Sequence, residues 1–390
     1  MRYDRWSEVV AVFLKLGAMS YGGPAIMGVM QQEIQTRRNW VSRERFVEGL
    51  ALVNMLPGPL AAQLSIFLGY SRLGWLGGVL GGVCFILPAF FIMLGLTMIY
   101  SRFGAIPAMR GVFYGLSPVV IGIFAVATYR LGKSAIKDVK QILIAIVSAA
   151  VVALTPFGLV PTMVLAGAVG VALYSSRFWG TAAAVGGALL FTVRFWGGPW
   201  LPAMSWLSVD ASAGASAPTL WNLSVFFLKV GTFTFGGGLA ILAFVQEQVV
   251  NQLQWLSPRE FLDGLALGQL TPGPIVMLAA FVGYRVAGVW GAAVSGAAIF
   301  LPSFVLILST VPVLDRVKRI RWMSAALKGI SPAVIGMIAA ALLAMLPNAV
   351  LDVTTVILTL ATIAAILAWR VSPLPVMAAG GAIGAVLKAR

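Results

Sequence analysis

Phe13-Leu14-Lys15-Leu16-Gly17, followed by Tyr21-Gly22-Gly23, returns 214 residues later as Phe227-Leu228-Lys229-Val230-Gly231 and Phe235-Gly236-Gly237. Gln32-Glu33 returns as Gln246-Glu247 at the same offset. One residue out of step, Trp40 and Ser42 are answered by Trp255 and Ser257, Gly49-Leu50-Ala51-Leu52 by Gly264-Leu265-Ala266-Leu267, and Pro57-Gly58-Pro59 by Pro272-Gly273-Pro274. The original offset then resumes for Gly69-Tyr70 and Gly283-Tyr284, Leu87-Pro88 and Leu301-Pro302, and Ser117-Pro118 and Ser331-Pro332. The chain is therefore built twice over.

The repeat sits in a strongly apolar chain. It is 60% hydrophobic and 10% charged, with a mean hydropathy of +0.96, whereas soluble domains are about one quarter charged. Apolar runs long enough to cross a ~30 Å hydrocarbon core recur from end to end. The expectation is an all-α polytopic integral membrane protein, since a β-barrel would show short alternating segments. The net charge of +15 lies in short loops between apolar runs, where it orients the chain rather than binding nucleic acid. The single cysteine, Cys84, excludes an intrachain disulfide. The N-terminus carries Asp4 and Glu8 and lacks a small-residue cleavage site, unlike a signal peptide.

About thirteen hydrophobic segments are expected, near 9–31, 46–69, 74–100, 110–130, 141–157, 159–175 and 180–196, then 219–246, 260–283, 287–312, 323–346, 351–369 and 374–388. This divides the chain into a repeat over 1–196, a linker over 197–218 without basic residues, and a second repeat over 219–390. Seven segments before the linker turn the second repeat upside down. The basic loops 130–140 and 314–322 then fall on one side, the cytoplasm, although they are not repeat equivalents. Loop 32–45, with Arg37, Arg38, Arg43 and Arg45, also reads as cytoplasmic; its counterpart 247–260 suits the outside. If the N-terminus is cytoplasmic too, segments 9–31 and 46–69 enter and leave on one side as re-entrant hairpins. Two full spans are the alternative. The fold expected is two inverted-topology repeats, each with Gly/Pro-broken helical hairpins.

Each such segment is broken near its middle, at Gly22-Gly23-Pro24, Pro57-Gly58-Pro59, Gly236-Gly237 and Pro272-Gly273-Pro274. About eleven helical residues on each side give ~16 Å, half the hydrocarbon thickness. Helices beginning at Pro24, Pro59 and Pro274, and after Gly238, would aim unpaired N–H groups and positive dipole ends at the midplane, a site for an anion. Pro/Gly kinks that serve packing are the other reading, and the paired breaks favour a site between two related halves. Lys15 and Lys229 are lone cations in apolar stretches, either counter-charges for an anion or lysines snorkelling to the interface. Asn54 and Gln269 precede the Pro-Gly-Pro breaks and Ser20 and Thr234 the Gly-Gly breaks, as amide or hydroxyl ligands or as caps for freed carbonyls. Glu33, Glu247, Glu48 and Asp263 are repeat pairs that carry coupling protons or are solvated charges at helix ends.

Enzyme chemistry finds no support. The chain has no histidine, so a Ser-His dyad is excluded, and the metalloprotease, nucleophile-elbow and phosphate-loop motifs are missing. No cofactor or metal is implied.

The pattern of Phe-x-x-Leu-Gly, Gly-Gly-Pro, Trp, Leu-Pro-Gly-Pro, Gly-Tyr and Leu-Pro, met once per half, resembles the chromate ion transporter family in its long, two-domain form. The resemblance implies a bacterial inner-membrane protein that exports chromate, a tetrahedral dianion similar to sulfate. It maps the family's Gly-Gly-Pro and Pro-Gly-Pro elements onto Gly22-Gly23-Pro24 and Pro57-Gly58-Pro59, and onto Gly236-Gly237 and Pro272-Gly273-Pro274. Gly238 replaces the proline in the second half, and Ala25-Ile26-Met27 replaces the polar residues that often follow the first. The partners expected are chromate or a similar oxyanion and the lipid bilayer, with no nucleic acid; a homodimer is left open. A transporter or channel for another inorganic or small organic anion is the alternative.

Overall fold

The structure, a computed structural model, describes residues 2–20, 25–104, 106–155, 158–175, 219–234, 240–313 and 321–388. Among them there are helices and no strand. The sequence places the helix starts. Ser42 and Ser257, the serines of the repeated Trp-x-Ser, accept hydrogen bonds from the backbone N–H groups of Arg45 and Glu260. Asp138 and Asp352, 214 residues apart, cap their helices through the N–H groups of Gln141 and Thr355. Such side-chain acceptors satisfy donors that a first helical turn leaves unpaired.

The first repeat opens with α1 (Arg2–Ala18) and α2 (Ala25–Met30), the latter continuing as a wider turn over Gln31–Arg37. α3 (Arg43–Met55) and α4 (Leu60–Phe103) follow. These segments are re-entrant hairpins rather than full spans. Arg38, just past the end of α2, pairs at 2.6 Å with Glu8 near the start of α1, so the chain leaves on the side where it entered. Gly49, nine residues before Gly58, lies against the ring of Phe67, nine residues after it, so α3 and the start of α4 run back to back. α4 itself breaks at Leu73 and at Gly74, which has φ +67°. Its first arm returns to the starting side, where Arg72 meets Glu8 at 3.6 Å, and its second arm makes the crossing.

The second repeat copies this. It contains α8 (Leu220–Thr232), α9 (Ala240–Val245) with a wider turn over Gln246–Gln252, α10 (Pro258–Leu270), and α11 (Leu278–Thr310) after a single tight turn at Ile275–Met277. Gly264 lies against Phe281, and α11 breaks at Ala287 and Gly288, φ +62°. The alternative of two full spans at 9–31 and 46–69 is thereby replaced. Proline and positive-φ glycine allow the reversal, and a reversal at mid-depth halves the length each arm needs.

Among the described residues each repeat continues with three helices: α5 (Pro107–Ala135), α6 (Val139–Leu154) and α7 (Leu159–Tyr174), and α12 (Arg321–Ala349), α13 (Val353–Ala368) and α14 (Pro373–Lys388). They are exchanged between repeats: α5 packs on α13 and α14, and α12 packs on α6 and α7. Tyr114, near the start of α5, donates to Asp352 just past the end of α12 at 2.5 Å. At the other end, Lys328 of α12 lies 5.2 Å from the ring of Tyr174, whose hydroxyl donates to Asp138, just past the end of α5. Equivalent helices α5 and α12 therefore run antiparallel, as inversion demands. The second arms of α4 and α11 also cross antiparallel, with Gly78 against Leu308, Gly82 against Phe304 and Gly296 against Phe90. That register sets Ile86 opposite Phe300, its own repeat equivalent, so the pseudo-twofold axis passes there.

Among the described residues, four helices are long and apolar enough to cross a membrane: Leu60–Phe103, Pro107–Ala135, Ile275–Thr310 and Trp322–Ala349. Those at Val139–Leu154, Leu159–Tyr174, Val353–Ala368 and Pro373–Lys388 are apolar but shorter. The expected segment 180–196 and linker 197–218 lie outside the described residues.

Candidate substrate site

The Pro-Gly-Pro turns meet the ends of α1 and α8 across the axis. Gly58 N–H donates to the carbonyl of Thr234 at 2.6 Å, and Gly273 N–H donates to the carbonyl of Ser20 at 2.7 Å. Each bond joins one repeat to the other. These two N–H groups are engaged: they satisfy the carbonyls of Ser20 and Thr234, two residues past the ends of α1 and α8. The negative ends of α1 and α8 are thereby partly neutralised. The starts of α4 and of the turn leading into α11 keep their positive character: Pro59 and Pro274 precede them without a side-chain cap.

Ser20 and Thr234 are both buried, and the Thr234 hydroxyl donates back to Val230 at 2.7 Å. Asn54 is exposed and its amide donates to Leu50 at 2.7 Å, within its own helix. Gln269, its equivalent, is half-buried. Lys15 is exposed on the α1 face shared with Ala11 and Ala18, whereas Phe13, Leu16 and Ser20 face inward. Lys229 is half-buried at the equivalent place on α8. Gly22, Gly23, Pro24, Gly236, Gly237 and Gly238 lie outside the described residues.

Two side chains at the first turn escaped the sequence reading. A Cβ on Gly58, which has φ +138°, would strike the Gln63 amide and the Ser303 hydroxyl. Gln63 and Ser303 are fully buried. The Gln63 amide donates to the Pro57 carbonyl at 2.6 Å, while its Oε1 and the Ser303 Oγ have no hydrogen-bond partner among the described residues. At the second turn, Gly273 (φ +128°) meets only Ala89, the equivalent of Ser303. The two turns are thus unlike, one polar and one apolar. Pairing of motifs between repeats hid Gln63 and Ser303 because neither has a polar twin. Their signal was a lone amide and a lone hydroxyl within apolar helices.

The acidic candidates separate. Glu33 pairs with Arg37 at 3.0 Å and Arg38 at 3.1 Å, and the Arg38 hydrogen bond holds its carboxyl below the usual range. Glu48 pairs with Arg45 at 3.1 Å, and Glu247 accepts from Asn251 and Gln252. Asp263 alone of the four is buried. It accepts from the Tyr100 hydroxyl at 2.8 Å, a bond between the repeats.

The family model for chromate transporters matches the chain twice, over residues 7–172 and 221–385. The chain belongs to the chromate transporter family. Among relatives, a chromate transport protein of Cupriavidus metallidurans is 34% identical, over 96% of this chain and 91% of its own length. A probable chromate transport protein of Synechococcus elongatus is 33% identical, over 97% and 95%. An uncharacterized transporter of Methanocaldococcus jannaschii is 29% identical, over 78% and 76%. No solved structure matches. This member of the chromate transporter family is a multi-pass membrane transporter and not an enzyme.

Proposed function

We propose that the chain is a secondary transporter that exports chromate from the cytoplasm across a bacterial inner membrane, holding the anion near mid-depth where the broken hairpins meet. The observation that carries this is the reciprocal pair of bonds from Gly58 to Thr234 and from Gly273 to Ser20. They bring the Pro-Gly-Pro turns of both repeats to the helix ends that precede the Gly-Gly breaks. Two uncapped helix starts then face one region, and partial positive charge at helix starts favours an anion. Ser303 adds a hydroxyl donor at the first turn, and Lys15 and Lys229 add positive potential from α1 and α8. The relatives named as chromate transport proteins support chromate as the anion. An inside-negative potential favours outward movement of a dianion, at about 2.3 kcal/mol per charge per 100 mV.

The test is accumulation of labelled chromate in bacteria expressing the chain, against Lys15→Ala/Lys229→Ala at matched membrane abundance. Export predicts several-fold lower accumulation with the intact chain, restored by the double variant. Equal accumulation with and without the intact chain would exclude chromate export. Competition by sulfate or molybdate then separates chromate from the other oxyanions.

A further inference from the structure

Asp263 sits in the second turn of α10, 5% exposed. Its Oδ2 takes the Tyr100 hydroxyl bond, and its Oδ1 is buried with no partner among the described residues. Beside it opens a recess of about 420 Å3, lined by Tyr100, Arg110, Ser257, Arg259 and Glu260 together with Asp263 itself. A carboxylate with one oxygen unsatisfied in a dehydrated place is held at a penalty that a proton removes.

Charged and titratable groups stand on the elements packed around α10. Tyr100 comes from α4, and Arg110 reaches the recess from α5. Arg285 of α11 is bonded to Glu260. Lys328 of α12 and Lys388 of α14 lie over the rings of Tyr174 and Tyr114. Glu247, in the turn after α9, is held by Asn251 and Gln252.

Among the described residues no equivalent pair exists in the other half of the twofold arrangement. The counterpart of Asp263 is Glu48, one-third exposed and paired with Arg45, and the counterpart of Tyr100 is Leu314. We propose that Asp263, with Tyr100 as its hydrogen-bond partner, is a proton-binding site present in the second repeat alone, and that transport is linked to its occupancy. The proton enters from the recess and settles on Oδ1, leaving Oδ2 to Tyr100. Protonation turns a charge-assisted bond into a neutral one of roughly half the strength. That loosens α10 against α4 in the other repeat, and the far end of α10 leads into Pro272-Gly273-Pro274. The link to transport rests on the function proposed above; the binding of the proton does not.

Infrared difference spectra of the full chain in liposomes, taken between about pH 5 and 7, read the proton directly. The expected result is a protonated-carboxyl band that titrates in this window, is lost in Asp263→Asn, and moves to higher pH in Tyr100→Phe. A band unchanged by Asp263→Asn, or none at all, overturns the proton site. The second arm is chromate flux in the same liposomes. Intact chain should vary several-fold in rate across the window, and Asp263→Asn, which mimics the protonated form, should be flat. Identical profiles for the two overturn the linkage. Failure of the intact chain to move chromate at any pH overturns the proposed function instead and leaves the infrared result standing; Tyr100→Phe keeps that arm decisive if Asp263→Asn misfolds.

Discussion

At the scale of single residues, two glycines with positive φ separate backbone strain from collision. Gly74 has φ +67° and ψ −152°, a region open in practice to glycine alone, and nothing lies within 4 Å of where its Cβ would stand. Gly74→Ala should therefore cost the backbone penalty only, about 1–3 kcal/mol, and keep transport. Gly58→Ala carries a similar penalty and also drives a methyl into Gln63 and Ser303. It should lose at least about tenfold in transport even where membrane abundance equals that of Gly74→Ala. Equal activity of the two variants would remove the first Pro-Gly-Pro turn from the site. The turn itself was legible, since a proline on each side of a glycine leaves few other conformations. Its lining was not. Ser303 is 245 positions away in sequence from Gly58, and the Thr234 carbonyl that accepts a hydrogen bond from the Gly58 N–H is a backbone group, which no side-chain pattern can announce.

At the scale of elements, the apolar periodicity and the repeated punctuation located the helices, but not which repeat each packs on. α5 and α12 leave their own halves because small residues let their backbones approach partners in the other: a Cβ on Gly115 would strike the carbonyl of Gly380, and one on Gly329 the carbonyl of Ala166. Close approach through small residues is the usual basis of helix association in lipid, where apolar burial gives no drive. Glycines scattered along a hydrophobic run do not reveal their partner, so the exchange was invisible in sequence. It has a direct consequence. Gly115→Ala should destabilise the protein in detergent by about 1–3 kcal/mol through overpacking. Gly95→Ala, in α4 with nothing within 4 Å, should be neutral or gain up to about 1 kcal/mol from helix propensity. Thermal unfolding of the two variants side by side gives the sign of each; two similar shifts would mean that the α5–α14 contact does not limit stability.

At the scale of the whole molecule, inversion rests on charge in the sequence and on antiparallel equivalents in the structure, and the two meet at Asn39 and Gln254. These are repeat counterparts, both with positive φ, at +50° and +51°, and each closes the return of a hairpin. Asn39 adjoins the cluster of Arg38, Glu8 and Arg72, and Gln254 precedes the Ser257 cap beside the recess that faces Gly104. α4 crosses from Arg72 to Gly104, so the two positions fall at opposite ends of that crossing. If the basic loop 32–45 faces the cytoplasm, as its charge predicts, Asn39 lies inside and Gln254 outside. Because Cys84 is the single native cysteine, Cys84→Ala gives a silent background for labelling. Asn39→Cys should react with a membrane-impermeant maleimide only in inside-out vesicles, and Gln254→Cys only in intact cells. Reaction of both from the same side would mean that the hairpins of the two repeats enter the bilayer in parallel. That outcome would contradict the antiparallel run of α5 and α12, in which Tyr114 at the start of one meets Asp352 past the end of the other and Lys328 near the start of the second meets Tyr174 beyond the end of the first.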